Sequence, residues 1–128
     1  MRTIKFRGLR VNRREWVYST ESFVQTDEGI CMGLYNEEKD VIPDTVGQFT
    51  GLYDKDGKEI YEGDILQLKY SDGSYHSSSV YYAQQKGYWA VDVSINERII
   101  LGYIDRTKLV VIGNIHDNPE LLKGGNDE

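Results

Sequence analysis

Turn signals punctuate this chain roughly every 8–20 residues, which leaves room for short strands and little for helices. The clearest are Val11-Asn12-Arg13-Arg14, Asp27-Glu28-Gly29, Asn36-Glu37-Glu38-Lys39-Asp40, Asp54-Lys55-Asp56-Gly57, Ser71-Asp72-Gly73, Lys86-Gly87 and Asn96-Glu97. The intervening segments are rich in Val, Ile, Tyr, Phe and Trp, which fit a pleated, half-buried surface. Several alternate with period two: Ile4 and Phe6 with Lys5 and Arg7, Trp16 and Tyr18 about Val17, Leu66, Leu68 and Tyr70 with Gln67 and Lys69, and Trp89, Val91 and Val93 with Ala90 and Asp92. Such alternation sends one set to a core and the other to solvent. Leu109-Val110-Val111-Ile112 is continuously apolar and reads as a strand covered on both faces.

Helical signals are few. Asn118-Pro119-Glu120-Leu121-Leu122 offers an N-cap, a proline for the first helical position and an acid at the positive end of the dipole. A second short turn is expected around Asp105-Arg106-Thr107-Lys108. The fold class is therefore all-β, with short-stranded hairpins forming small SH3-like barrels or a sandwich that hides sheet edges. Composition agrees: 15 aromatics, 10 of them Tyr, and a 39% apolar fraction are too rich for a disordered chain. The expected organisation is a hairpin lobe over residues 1–43, a denser barrel-like lobe over 44–122 and a disordered tail over 123–128, in one integrated structure.

Apolar runs near 20 residues are absent, and the start Met1-Arg2-Thr3-Ile4-Lys5-Phe6-Arg7 lacks a signal-peptide apolar region. A cytoplasmic protein without membrane contact is the expectation. The charge is uneven. Residues 1–14 hold Arg2, Lys5, Arg7, Arg10, Arg13 and Arg14 and no acid, so the other 114 residues, with 9 basic and 21 acidic, carry −12 of a net −6. A basic strip on an acidic body suits either a polyanion or an acidic protein surface. Strand periodicity puts Lys5 and Arg7 on one solvated face of the first strand, opposite Ile4 and Phe6, with Arg10, Arg13 and Arg14 at the following turn. That geometry favours a protein partner, including a second copy of the chain.

Sites of chemistry are scarce. Asp54-Lys55-Asp56-Gly57-Lys58-Glu59 fails the calcium-loop spacing, because Gly is fourth rather than sixth and Ile65 stands where a bidentate Glu is needed. It reads as a hairpin turn with Gly57 at positive φ. Glu62-Gly63-Asp64 reads as a tight turn launching a strand rather than an acid pair. His76 and His116 have no ligand set at metal spacing, and Cys31, the single cysteine, reads as a buried inert thiol. An enzyme would need Glu62, Asp64 and His116 to converge on a pocket. No catalytic residue, metal or cofactor is expected. Tyr70, Tyr75, Tyr81, Tyr82, Tyr88 and Trp89 fall within 20 residues, which suits core packing and cross-strand pairs, with Tyr81 and Tyr88 as candidates for a contact surface.

The segment from Thr45-Val46-Gly47-Gln48-Phe49-Thr50-Gly51-Leu52-Tyr53 through Asp54-Lys55-Asp56-Gly57-Lys58-Glu59-Ile60-Tyr61-Glu62-Gly63-Asp64-Ile65 resembles the YopX family of phage and prophage proteins. The opening Ile4-Lys5-Phe6-Arg7 and the closing Val111-Ile112-Gly113-Asn114-Ile115-His116-Asp117-Asn118-Pro119-Glu120-Leu121-Leu122 are similar to the family's ends, while residues 21–41 and 71–108 carry none of the resemblance. The resemblance implies a small, largely β, cytoplasmic phage-type protein and brings no catalytic residue or cofactor. The functional expectation is a non-enzymatic, self-associating protein-interaction module. Its candidate surface is Lys5, Arg7, Arg10, Arg13, Arg14, Tyr81 and Tyr88, and its partner a second copy or a phage or host protein. The rival is a nucleic-acid-binding module using the basic hairpin.

Overall fold

The computed structural model describes residues 4–11, 15–19, 23–26, 29–34, 37–94 and 97–124. The strands are β1 (Phe6–Leu9), β2 (Trp16–Ser19), β3 (Phe23–Thr26), β4 (Gly29–Leu34), β5 (Glu37–Val41), β6 (Gly47–Tyr53), β7 (Glu59–Tyr61), β8 (Asp64–Lys69), β9 (Tyr75–Ser79), β10 (Tyr81–Ala83), β11 (Tyr88–Ser94), β12 (Glu97–Ile100) and β13 (Leu109–Asn114). Single 3-10 turns span Pro43–Thr45, Leu101–Tyr103 and Arg106–Lys108, and one short helix, α1, spans Glu120–Gly124. The fold is all-β, as expected, and built from antiparallel sheets. Residue contacts divide it into Met1–Gly51 and Leu52–Glu128.

In the first unit β1 lies between β2 and β6, and β3, β4 and β5 form a meander. The Thr45 hydroxyl closes the end of β1: it accepts from the Leu9 N–H at 2.9 Å and donates to the Ile42 carbonyl at 2.6 Å. The faces of β1 are reversed relative to the expectation. Arg7 is only 6% exposed and Leu9 is buried, whereas Ile4 is 51% exposed. Register explains the reversal. Arg7 sits opposite Tyr18 and Leu9 opposite Trp16, so the face carrying the basic residues is also the aromatic face. The Arg7 guanidinium lies 4.6 Å from the centre of the Trp16 ring, where its charge is attracted by the π-face.

The second unit holds two three-stranded sheets, β13-β8-β9 and β10-β11-β12. The antiparallel sheets include one curled half-barrel. Val80 alone separates β9 from β10, donating to the Asp64 carbonyl at 2.8 Å and accepting from the Gly63 N–H at 2.9 Å. Ile60, Leu66, Leu68, Val80, Val91, Leu101 and Leu109 form the core. Each such side chain contributes about 1.5–3 kcal/mol relative to exposure.

The turns follow the sequence closely. Gly57, Gly63, Gly73 and Gly87 all take positive φ at the expected turns. Asp105 caps the Arg106–Lys108 turn, accepting from the Thr107 N–H. Asn118-Pro119 does precede α1, but the Asn118 side chain accepts from the Asn114 N–H behind it rather than capping the helix. Lys123 and Gly124 belong to α1. β13 is less covered than expected: Leu109 is buried, and Val110, Val111 and Ile112 are half-buried. Cys31 lies on β4, and its side chain is outside those described.

Candidate interaction face

Strand alternation on β10-β11-β12 separates two faces. Val91 enters the core, with Trp89 and Val93 packed against it. The opposite face carries Tyr81, Ala83, Tyr88, Ala90, Asp92, Arg98 and Ile100, since register sets Tyr81 and Ile100 against Ala90, Ala83 against Tyr88 and Asp92 against Arg98. Ala83 and Ala90 are buried on this face, Ala90 at 0% exposure. Above the alanines the large polar side chains interlock. The Tyr81 hydroxyl donates to Asp92 Oδ1 at 2.6 Å, and the Arg98 guanidinium lies 5.8 Å from the Tyr81 ring centre. Tyr88 is the other aromatic neighbour of Arg98 on this face.

The electrostatics follow from these contacts. Burial, the hydrogen bond to Asp92 and that residue's negative charge push the Tyr81 hydroxyl upward, against the opposing influence of Arg98. The polar side chains of Tyr88 and Tyr81 beside it raise Arg98 further above its ordinary value, so it is a fixed cation. Two neighbours brace Asp92 from below. Its N–H donates to Ser78 Oγ at 3.0 Å, and its carbonyl lies 3.1 Å from His76 Nε2, which must carry the proton because a carbonyl only accepts. His76 stacks on Tyr70, whose hydroxyl donates to the Val93 carbonyl at 3.0 Å. Tyr82 makes the expected cross-strand pair, edge-on to Trp89 at 5.0 Å.

The sequence-derived surface therefore splits. Tyr81 and Tyr88 share this face with Arg98, which lies over the Tyr81 ring and was not among the residues singled out in the sequence. A signal existed: Arg98 follows the Asn96-Glu97 turn signal, so a strand returning along the aromatic segment would carry it. The basic residues belong to the first unit. Lys5 Nζ lies 5.5 Å from the Phe49 ring centre, Arg7 is buried against Trp16, and Arg10 bonds Glu15 at 2.7 Å. Arg7 is thus no solvated contact residue. Arg13 and Arg14 lie outside the described residues.

The remaining candidates lie about the Gly63 turn. Ile115 donates its N–H to the Gly63 carbonyl, and His116 Nε2 lies 3.8 Å from where a Cβ on Gly63 would stand. Asp64 is buried, with Oδ2 accepting from the Tyr61 N–H at 2.8 Å, so it is the expected turn anchor. Among the described residues no three His, Cys, Asp or Glu side chains gather as metal ligands.

A sequence profile described as "YopX protein" matches residues 5–123. The chain belongs to the YopX family. The resemblance carried by the N-terminal, central and C-terminal motifs thus holds across nearly the whole chain, including residues 71–108, where no motif was recognisable. Among solved structures this YopX-family chain is similar to protein EF1440 from Enterococcus faecalis, with 27% identity, a TM-score of 0.57, and coverage of 95% of this chain and 99% of that one. No curated protein matches its sequence. Among the described residues, no helix of this YopX-family chain is long and apolar enough to cross a membrane.

Proposed function

We propose that this YopX-family chain is a non-enzymatic protein-interaction module of phage or prophage origin that associates with itself. The reading rests on an exposed arginine, Arg98, set over the Tyr81 ring on a sheet face that also carries Tyr88 and the exposed Asp92. Tyr and Arg dominate the energetic centres of protein interfaces, and side chains already held in place lose little entropy when a partner docks. Exposed aromatics elsewhere in the second unit support it, Tyr103 at 82% exposure most of all. The engagement of Lys5, Arg7 and Arg10 within the first unit supports a protein partner over a nucleic acid, which needs cations turned to solvent.

Light scattering on the purified chain tests this. A mass well above the 14.7 kDa of one chain is expected at micromolar concentration. A clean monomer at high micromolar concentration contradicts it. A salt-sensitive shift of DNA or RNA at about 50 mM salt would favour the nucleic-acid reading instead.

A further inference from the structure

We propose that the Tyr81–Asp92–Arg98–Tyr88 face is an isologous contact on which two copies meet about a two-fold axis, Asp92 of each against Arg98 of the other. The inference rests on the self-associating reading above and assigns it a surface.

Self-complementarity is the argument. A two-fold contact brings one patch against itself, so a patch of a single charge sign repels its own copy. The β10-β11-β12 face carries both signs. Asp92 and Arg98 are direct cross-strand partners and both are exposed, so opposite charges stand side by side on it. A two-fold axis passing between them sets each charge against its complement.

Neither group is used up within the chain. Asp92 gives one carboxylate oxygen to Tyr81, and the exposed Arg98 guanidinium carries five N–H donors. His76 and Ser78 hold the Asp92 backbone, so the carboxylate is positioned before contact.

Charge reversal and sedimentation velocity test the pairing. Arg98→Asp alone leaves two acids on the face, and Asp92→Arg alone leaves two bases. Each is expected to raise the self-dissociation constant about a hundredfold, with an unchanged circular dichroism spectrum. An equimolar mixture of the two variants is expected to associate again, because every cross-contact in the mixed dimer joins opposite charges. If the wild type associates and both variants do so equally well, the surface is wrong while self-association stands. If the wild type is monomeric, both fall. A mixture of two folded monomeric variants that fails to associate overturns the two-fold pairing. Arg98 is exposed, so Arg98→Asp alone decides the surface should Asp92→Arg fail to fold.

Discussion

Replacing Asp54 by alanine is expected to destabilise the second unit by about 3 kcal/mol and to lower its melting midpoint by roughly 10–15 °C. Asp54 is 2% exposed, and its carboxylate accepts three backbone N–H groups: Asp56 and Lys58 at 2.9 Å through Oδ1, and Val111 at 3.0 Å through Oδ2. The first two bonds shape the hairpin after β6. The third reaches 57 residues along the chain to β13, an outer strand of its sheet. Lys55 adds an N–H to the Leu109 carbonyl at 2.9 Å, and Arg106 Nε donates to the Asp54 carbonyl at 2.8 Å. The hairpin thus occupies backbone groups of β13 that an outer strand would otherwise present for pairing. Alanine leaves three N–H groups without their acceptor, each costing about 1 kcal/mol or more.

The same carboxylate gives a signed acid dependence. Burial alone raises Asp54, but the N–H groups of Val111, Lys58 and Asp56 and the charge of Lys58 outweigh it and hold the group below 3.8. A carboxyl depressed by folding stabilises the native state above its unfolded pKa, and that stability is lost as pH falls through the folded pKa. Asp72 and Asp105, held low by bonds to Ser74 and Thr107, shift in the same direction. Denaturant midpoints measured from pH 6 downward are expected to fall in acid below about pH 4, and to fall less in Asp54→Ala. An equal acid dependence in both chains would contradict the role of Asp54.

Gly113→Ala is expected to cost about 2–3 kcal/mol, and for a steric reason alone, since Gly113 does not adopt positive φ. A Cβ there would stand 2.5 Å from Asn118 Oδ1, 2.9 Å from its Cγ and 3.0 Å from its Cβ. Rotating the amide aside is not enough when the Cβ itself is so close. Displacing Asn118 also breaks its bond to the Asn114 N–H at 3.3 Å, on the turn where Asn114 Oδ1 accepts from His116 and Asp117. Urea unfolding of Gly113→Ala, Asn118→Gly and the double variant measures the coupling. The double variant should be more stable than the sum of the single losses allows. Strict additivity would mean that the two residues do not press on each other.

The turn chemistry made much of the fold legible. Asp56-Gly57, Glu62-Gly63-Asp64, Asp72-Gly73 and Lys86-Gly87 each encode a backbone conformation locally, and each appears where its residues predict. The Asp105 cap is local for the same reason. What escaped the sequence was partnership across distance. Period two tells which residues of β1 share a face but not which face is buried, and Arg7 argued for solvent. Only the register with β2 shows Trp16 and Tyr18 on the Arg7 side, although Leu9, in phase with Arg7, carried the hint. Asp54 looked like an ordinary turn residue because its bond to Val111 spans half the chain. Tyr81 and Tyr88 were visible as candidates, whereas Arg98 became one only when β12 paired with β11.

Residue-resolved NMR shifts followed over a dilution series test the proposed meeting of two copies on the β10-β11-β12 face. Concentration-dependent amide shifts centred on Tyr81, Tyr88, Asp92 and Arg98 are expected, with Lys5 and Arg7 unmoved. A spectrum constant with concentration, or shifts centred on Lys5 to Arg10 instead, would contradict it.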